Sequence, residues 1–514
     1  MYIFFLVTTL ILQINVAYSR YFETYMPLSL YDEFNNLNGL APNIKDAFEI
    51  NDIIFIFTII IVSITYRLTN KYIVNKNSLI FTLLFTFTTV AAFFFHYKSI
   101  KGEHKHYIEH FKDLNDQRTI WDIMIDKRKM LENNMPKTCV FYYGIGLSLF
   151  MNILEEVFDT EKYHFTDSET VDIKKHMYPE TYYLQSDTVQ NLILIIVESL
   201  SSWPINKSFS GIEITPNINK ILSNSLYFPK MFSETLLGES SDGQFIYLTG
   251  LLPLKNYVTI NEIRSSKIES FIRILKRQKT NLYCQMIIPT NNDAWSQKSM
   301  CQKYGIDTLF SKEDYNKKTD DEWLNDKELF EFASEKGTRL SSPFIYIILT
   351  SSMHSPYNKS FEECDIQYPK DFTPEQKHYL NNVHYMDKYL GEYLNTLKEQ
   401  YLFNQSTIII TSDHKPNAPK LNANIKANYE FIPLIIINGP KCNIIPNTSS
   451  MIFQTSLFPS ILDMYDVNSK WRGVGKSIFM PDTIRKSTFE KERQKKEHII
   501  SEYILSSKYL KGHP

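Results

Sequence analysis

The sequence predicts an α/β fold, with a mainly parallel sheet sandwiched by helices and transmembrane helices ahead of it. From Gln190 onward, short apolar runs rich in β-branched residues alternate with longer amphipathic segments. The short runs are apolar almost throughout, which is typical of strands buried on both faces of a parallel sheet. Near the start of the chain lie two or three apolar runs, close to the length of about 17–25 residues that a membrane-crossing helix needs.

The alternation also gives the order of the elements. Strands are predicted at residues 192–197, 282–288, 344–349, 407–411 and 434–437, and helices at 216–224, 263–277, 374–398 and 454–465. A further helix is expected in the apolar run from Phe245. Ser241 and Asp242 precede that run, and their side-chain oxygens suit the N-cap position of a helix.

Composition excludes some classes of protein. The 514 residues carry a net charge of −2, so no basic surface points to nucleic acid as a partner. Five cysteines without C-x-x-C spacing argue against a zinc ribbon or a thioredoxin-type site. If this part of the chain faces an oxidising compartment, Cys284 with Cys301 is the preferred disulfide.

The apolar runs at residues 2–16, 53–66 and 79–95 predict the membrane region. Ala17-Tyr18-Ser19 resembles a cleavage site, but the positive segment of a signal peptide is missing, so a cleaved signal and a retained anchor are both open. The loop between the second and third runs carries Arg67, Lys71 and Lys76 and no acidic residue. The positive-inside rule makes this loop cytoplasmic and places everything after Phe95 outside.

Residues 97–185 are polar and are expected to form a helical stalk or linker. His104, His106 and His110 lie close together there. A solvated or interfacial helix explains these histidines more simply than a metal site does.

Ionisable side chains follow the predicted strands where the strands end. Glu198 follows the first strand, His354 lies in the loop after the third, and Asp413-His414 follows the fourth. Ligands of open α/β sheets bind at the carboxyl ends of the strands, and the Ser240 loop would add a hydroxyl there. Such a set can hold a divalent metal that activates the serine. Taken singly, a Glu after a strand is more often a loop carboxylate and Asp-His more often a turn, but four such groups in this order favour a site.

The order of these motifs resembles the sulfatase-like branch of the alkaline phosphatase superfamily. The motifs are strand-Glu, T-P-N, S-S-D-G, H-S-P-Y, strand-S-D-H, I-P-L-I-I-I and Q-T-S-L-F-P-S-I-L-D, between about residues 190 and 476. Within this branch the chain is most similar to lipoteichoic acid synthases and to membrane phosphoethanolamine or phosphoglycerol transferases. The resemblance implies one divalent metal, Mn or Zn, bound by Glu198, Ser240, Asp413 and His414.

The resemblance also implies individual roles. Ser240 stands at the position of the nucleophile, which is Thr in many relatives, and motif alignment favours it over Ser241. His354 matches a histidine that binds the substrate phosphate. Trp295, in D-A-W-S-Q, resembles a substrate-site tryptophan, and Gln297 and Lys415 stand at further substrate-binding positions.

Three departures from the family pattern narrow the range of reactions and substrates that we expect. Sulfatases that make formylglycine have C-x-P-x-R or S-x-P-x-R at the nucleophile, whereas this chain has S-S-D-G-Q, which argues against sulfate hydrolysis. Gln297 stands where lipoteichoic acid synthases have Arg, which weakens the case for a glycerol phosphate head group. Lys415 stands where Gly or Tyr is common and could supply a cation instead.

The expected function is therefore that of a membrane-anchored, metal-dependent transferase. It would move a phosphoethanolamine or phosphoglycerol group from a phospholipid donor to an envelope glycan or lipid acceptor, through a phospho-Ser240 intermediate. The alternatives are a metal-dependent phosphodiesterase or phosphatase, a sulfuric-ester-type hydrolase of the same superfamily, and a membrane-anchored receptor or scaffold without chemistry. The intact set of predicted metal ligands argues against the last.

The resemblance completes the expected domain organisation. A membrane region at residues 1–96 and the stalk at 97–185 precede a sulfatase-like catalytic domain at 186–482, and a charged tail occupies 483–514 as a solvated helix or a disordered segment. The expected location is a bacterial cytoplasmic (inner) membrane. The chain would cross it more than once and carry its catalytic domain on the extracytoplasmic or periplasmic side.

Overall fold

The computed structural model describes residues 191–480, residues 490–505 and a few residues between 9 and 64. Within 191–480 it leaves out residues 237, 255–257, 264–267, 280, 293, 318, 320–322, 339, 342, 363, 417–420, 422–430 and 441–445. The chain divides into two compact units, and the described residues from 191 onward belong to the unit that contains residues 163–514.

An eight-stranded sheet forms the centre of this unit. The described strands are β1 (Asn191–Val197), β2 (Ser208–Phe209), β3 (Ile212–Glu213), β4 (Ser225–Phe232), β5 (Tyr283–Ile287), β6 (Thr308–Phe310), β7 (Phe344–Leu349), β8 (Ser406–Ser412), β9 (Phe431–Ile437) and β10 (Ile452–Phe453). The sheet order is β10-β4-β9-β8-β1-β7-β5-β6, and β2 and β3 form a separate pair. All five predicted strands are present in this sheet.

One strand departs from the predicted direction. β9 runs antiparallel to both of its neighbours, β4 and β8, whereas the other pairs of the large sheet are parallel. The sheet is therefore mixed, although mainly parallel. The sequence could not indicate this, because an apolar run that is buried on both faces has the same composition in either direction.

The register of the central strands places their carboxyl ends side by side. Val197 at the end of β1 pairs with Ser412 at the end of β8, and Ile196 pairs with Leu349 at the end of β7. Residues 192–197 are no more than 1% exposed, so β1 is the buried centre of the sheet. The residues that follow these three strands must therefore lie close together at one edge.

Helices pack on the sheet and supply the rest of the site. They are α1 (Pro216–Leu222), α2 (Ser240–Thr249), α3 (Thr259–Glu262), α4 (Phe271–Gln278), α5 (Gln297–Tyr304), α6 (Asp326–Gly337), α7 (Pro374–Glu399), α8 (Leu457–Met464) and α9 (Glu490–Leu505). α7 follows the prediction closely, because Thr373 caps it by accepting a hydrogen bond from the Gln376 backbone N–H.

Two predicted helices begin later than expected. α4 starts at Phe271 rather than at residue 263, because Ser270 caps it by accepting a hydrogen bond from the Arg273 N–H. The helix predicted from residue 454 begins with a 3₁₀ turn at Gln454–Ser456, and α8 follows it.

The charged tail is not wholly solvated. Residues 490–505 form α9, in which Ile500 and Ser501 are each 1% exposed. The Ser501 hydroxyl accepts a hydrogen bond from the Leu252 backbone N–H at 2.9 Å. The expectation of a solvated or disordered tail is wrong for this face, because its apolar and small residues pack on the rest of the unit.

The preferred disulfide is also wrong in this structure. Cys284 and Cys301 are both buried free thiols, and the Cys301 sulfur lies 3.6 Å from the sulfur of Met286. Their separation in the sequence does not determine where the side chains point, and Cys301 points at β5 two residues beyond Cys284. Cys139 and Cys442 lie outside the described residues.

Most of the predicted membrane region and all of the predicted stalk lie outside the described residues, including the third apolar run and His104, His106 and His110. No helix in the described part of the chain is both long and apolar enough to cross a membrane. The membrane helices and the domain boundaries remain predictions.

Candidate active site

Two carboxylates lie side by side at the edge where β1 and β8 end. Glu198 follows β1, and its backbone N–H donates to the Thr350 hydroxyl at 3.1 Å. Asp413 follows β8, and its Oδ1 accepts from the backbone N–H of Ser199 at 2.9 Å and of His414 at 2.7 Å. Both carboxyl groups are buried. These hydrogen bonds therefore hold the backbone of Glu198 and the carboxylate of Asp413 in place.

Ser240, the first residue of α2, places its hydroxyl against these groups. Its Oγ donates to Glu198 Oε2 at 3.1 Å and lies 3.3 Å from His414 Nε2. The neighbouring Ser241 is turned away, since its hydroxyl donates to the Gly238 carbonyl at 2.7 Å. The geometry thus separates two serines that residue chemistry alone could not distinguish.

The beginning of α2 differs from the prediction. The N-cap is Glu239, and Ser241 and Asp242 lie within the first turn. The carboxylate of Asp242 accepts hydrogen bonds from the backbone N–H groups of Leu236 at 2.9 Å and Gly238 at 3.0 Å. Asp242 therefore fixes the preceding loop, which lets the helix begin earlier, at Ser240.

His414 presents one ring nitrogen to the two carboxylates. Its Nδ1 lies 2.8 Å from the Lys415 carbonyl, an arrangement that places the proton of a neutral ring on Nδ1. Nε2 lies 3.3 Å from Glu198 Oε1 and 3.7 Å from Asp413 Oδ2. The lone pair of Nε2 thus points at the same small volume as two carboxylate oxygens and the Ser240 hydroxyl.

This donor set fits a divalent metal ion. The ligand atoms of Glu198, Asp413 and His414 lie within 4.8 Å of one another. Carboxylate oxygens and an imidazole nitrogen suit Zn²⁺ or Mn²⁺, and Asp413 keeps Oδ2 for a ligand while Oδ1 is held by backbone N–H groups. Of the groups that the resemblance implies, all four lie together, and Ser240 would complete the set.

The pKa values of these groups are strongly perturbed. Burial raises the pKa of Asp413 to about 7, and the charge of Glu198 acts in the same direction. Burial alone would raise the pKa of Glu198, but the hydrogen bond and charge of His414 outweigh it and hold this pKa well below its usual range. Burial opposes the charged form of His414, yet the charges of Asp413 and Glu198 raise its pKa well above normal. A buried cluster with two carboxylates favours a cation, and a proton on His414 supplies one when no metal does.

Three residues that the sequence analysis did not assign to the site contact the backbone carbonyls of Asp413 and its neighbour Ser412. The Gln454 amide donates to the Asp413 carbonyl at 2.6 Å and to the Tyr247 hydroxyl at 3.1 Å. Tyr247 in turn donates to the Ser412 carbonyl at 2.6 Å. Gly243 lies against the same Asp413 carbonyl. The glycine of S-S-D-G and the glutamine that opens Q-T-S-L-F-P were visible in the sequence, but only as motif letters.

His354 is the predicted substrate residue with the most evident relation to the site. Its Nδ1 lies 2.7 Å from the Ser355 carbonyl, and its charge contributes to lowering the pKa of Glu198. Its ring meets that of Trp323 in a T-shaped contact, with the centroids 4.7 Å apart. The sequence gives no indication of this role for Trp323, because a lone tryptophan after acidic residues carries no chemical signal.

The other predicted substrate residues are placed less directly. Trp295 is half-buried with left-handed backbone (φ 50°), just before α5. Gln297 is 4% exposed, and its amide donates to Gln244 Oε1 at 2.9 Å and lies near the sulfurs of Met286 and Cys301. The backbone carbonyl of Lys415 contacts His414. Gln297 thus contacts core residues, and contact of Trp295, Gln297 or Lys415 with a substrate remains a prediction.

Comparisons with known proteins agree with this geometry. The sulfatase family model matches residues 190–467, more than half of the chain. The lipoteichoic acid synthase of Staphylococcus saprophyticus is 23% identical over 429 residues, covering 79% of this chain. The match spans 62% of that relative's own length.

Two solved structures share the fold. The lipoteichoic acid synthase LtaP from Listeria monocytogenes superposes with a TM-score of 0.53 at 17% identity, covering 68% of this chain and 99% of that one. A protein of the alkaline phosphatase superfamily from Vibrio parahaemolyticus gives a TM-score of 0.50 at 20% identity, covering 62% of this chain and 79% of that one. The expected resemblance is confirmed, and with it the expectation of an enzyme of this superfamily. The chain belongs to the sulfatase family.

Proposed function

We propose that the protein is a membrane-anchored, metal-dependent transferase with its catalytic domain outside the cytoplasmic membrane. It moves a phosphoethanolamine or phosphoglycerol group from a phospholipid to an envelope glycan or lipid. Glu198, Asp413, His414 and Ser240 hold one divalent metal, and Ser240 is the nucleophile. The relatives named as lipoteichoic acid synthases support the proposal of a transferase.

The position of the Ser240 hydroxyl is the observation on which the proposal depends. It lies 3.1 Å from Glu198 Oε2 and 3.3 Å from His414 Nε2, at the start of a helix. The positive end of the helix dipole favours a phosphoryl group there. A purely structural role for this serine would not account for its contact with both a buried carboxylate and a buried imidazole.

The reaction would proceed in two displacements. A bound metal would lower the pKa of the serine hydroxyl and offset negative charge on the phosphoryl oxygens. Ser240 Oγ attacks phosphorus, the bond from phosphorus to the diacylglycerol oxygen breaks, and diacylglycerol leaves with a proton. An acceptor hydroxyl then attacks the phospho-Ser240 phosphorus and releases the serine. His354 is proposed to contact the phosphoryl oxygens.

A hydrolase of the same superfamily is the second candidate. It would use the same groups with water in place of the acceptor hydroxyl. The donor site and Ser240 would be identical, so the two activities differ only in the second displacement.

Intact mass spectrometry of the purified full-length chain tests both candidates. The chain is incubated with Mn²⁺ or Zn²⁺ and mixed phospholipids, beside Ser240→Ala and the matched control Ser241→Ala. Wild type and Ser241→Ala are expected to gain the mass of a phosphoethanolamine or phosphoglycerol group, and Ser240→Ala is not. Diacylglycerol release without an adduct would favour the hydrolase. Absence of adduct, release and bound metal would rule out both.

A further inference from the structure

The residue before Ser240 has an unfavourable backbone conformation. Glu239 has φ 43° and ψ −111°, in a region that glycine enters freely and other residues rarely do. Such conformations persist when the surroundings enforce them, and they concentrate at functional sites. The preceding position, Gly238, has no room for any side chain, because a Cβ there would lie 2.3 Å from Asp242 Oδ1.

The carboxylate of Glu239 has no role in capping the helix. Glu239 is the N-cap residue of α2, yet its side chain makes no capping hydrogen bond. A glycine would serve this backbone position with less strain. The side chain therefore needs a different explanation.

That explanation lies in the contact with His414. Glu239 Oε2 lies 3.5 Å from His414 Nδ1, on the side of the ring opposite to Nε2, and the side chain of Glu239 is 28% exposed. The Nδ1 proton already has an acceptor in the Lys415 carbonyl at 2.8 Å. At 3.5 Å the carboxylate acts mainly through its charge rather than through a second full hydrogen bond.

We infer that Glu239 is a positioning residue that, together with the Lys415 carbonyl, holds His414 with Nε2 directed at the metal. A histidine that binds a metal commonly has its other ring nitrogen next to a carboxylate or a carbonyl, which fixes the tautomer and makes the ligand nitrogen more basic. Glu239 also adds negative charge close to the cation. The inference rests on the proposed function only in that the site holds a divalent metal.

A purely structural role for Glu239 predicts a different result. If the side chain served only the fold, its removal would lower stability and leave metal binding unchanged. If it positions His414, its replacement lowers metal affinity. Metal affinity rather than stability separates the two cases, because replacement by glycine relieves backbone strain in the metal-free protein but also removes the attraction between Glu239 and a protonated His414.

Mn²⁺ titration of the metal-free full-length chain by calorimetry, with thermal unfolding in parallel, separates these cases. Glu239→Gln is expected to weaken Mn²⁺ binding by about 10–100-fold, the usual effect of losing such a partner. Glu239→Gly is expected to weaken it at least as much. Glu399→Gln, on an exposed carboxylate of α7, is the charge control. Tyr401→Gly, at another positive φ of 60° and 80% exposed, is the control for relief of strain and should raise Tm alone.

Wild-type affinity in both Glu239 variants would overturn the inference while leaving the proposed function intact. If the wild-type chain binds neither Mn²⁺ nor Zn²⁺, the proposed function fails, and the inference with it.

Discussion

Gly243 packs directly against the backbone of Asp413: a Cβ on Gly243 would lie 2.4 Å from the Asp413 carbonyl oxygen. α2 and the end of β8 therefore meet at backbone distance. Ser240 lies one turn earlier on the same helix, so this contact determines how closely its hydroxyl approaches His414. The glycine of S-S-D-G thus has a steric role that is separate from the chemistry of the serine.

Gly243→Ala should therefore damage the site although it adds only a methyl group. The methyl group cannot fit against a backbone carbonyl, so α2 must move away from β8. We expect a loss of stability of about 1–3 kcal/mol, as for other overpacked positions, and Mn²⁺ affinity at least about tenfold weaker. Urea unfolding and Mn²⁺ titration measure the two effects.

Gly337→Ala is the matched control for that substitution. A Cβ on Gly337 would lie 3.5 Å from its neighbour on Tyr346, an ordinary contact distance. It should change neither quantity appreciably. Normal metal binding in Gly243→Ala would show that α2 can shift without disturbing Ser240.

The sequence predicted those parts of the fold that depend on periodicity and on motif order. The runs that became β1 and β7 are apolar throughout, and that of β8 has three isoleucines between two threonines. The ionisable residues after them had to share an edge once the strands were parallel. Contacts between backbone atoms have no such signature. Neither the approach of Gly243 to Asp413 nor the antiparallel direction of β9 can be obtained from residue types alone.

Side-chain direction was the other property that the sequence could not supply. The family resemblance places Gln297 at a substrate-binding position, yet its amide contacts Gln244 in the core. The same holds for Cys284 and Cys301, whose thiols remain unpaired with each other. Ser240 differs, because motif alignment favours it over Ser241, and in the structure the Ser240 hydroxyl lies beside Glu198 and His414.

Gln454 should prove necessary for the position of Asp413. Its Nε2 donates to the Asp413 carbonyl at 2.6 Å, and its Oε1 accepts from the Glu234 backbone N–H at 2.6 Å. Gln454→Leu leaves both buried backbone groups without this partner, which should cost about 1–3 kcal/mol for each group left unsatisfied. We expect weaker Mn²⁺ binding as well, measured by the same titration.

A second buried glutamine provides the comparison. Gln376 Nε2 donates to the Leu421 carbonyl at 3.2 Å, and its Oε1 accepts from the Thr373 N–H at 2.9 Å. Gln376→Leu should lower the unfolding free energy to a similar degree and leave Mn²⁺ affinity unchanged. Equal loss of affinity in both variants would mean that the Gln454 effect is general destabilisation.

The stability of the metal-free protein should fall as the pH rises through neutrality. The pKa of Asp413 is about 7 in the folded chain, against about 3.8 for a free side chain, so the folded state holds a proton that the unfolded state has lost. The raised pKa of His414 likewise makes stability fall as the pH rises above the usual pKa of histidine. Burial raises the pKa of Asp242 to about 7, which has the same effect on stability. The lowered pKa of Glu198 acts oppositely, but only below its ordinary value of 4.5.

Metal should reverse this dependence, because its ligands bind in their deprotonated forms. The gain in Tm on adding Mn²⁺ is therefore expected to be larger at about pH 8 than at about pH 6, with EDTA-treated chain as the reference. Asp413→Asn should largely abolish the gain at both values. A gain that is independent of pH in the wild type would contradict the assignment of Asp413 and His414 as ligands.

The ion pair of Arg472 with Asp463 should matter for stability alone. Both side chains are nearly buried, and the Arg472 guanidinium also donates to the Val467 carbonyl at 3.1 Å. Arg472→Met leaves the Asp463 carboxylate buried without its cation, which should cost about 3–5 kcal/mol in urea unfolding. Arg472→Met with Asp463→Leu removes both charges and should recover most of that loss. Mn²⁺ affinity should stay at the wild-type value in every variant that remains folded, and a parallel loss of affinity would mean that this pair also supports the metal site.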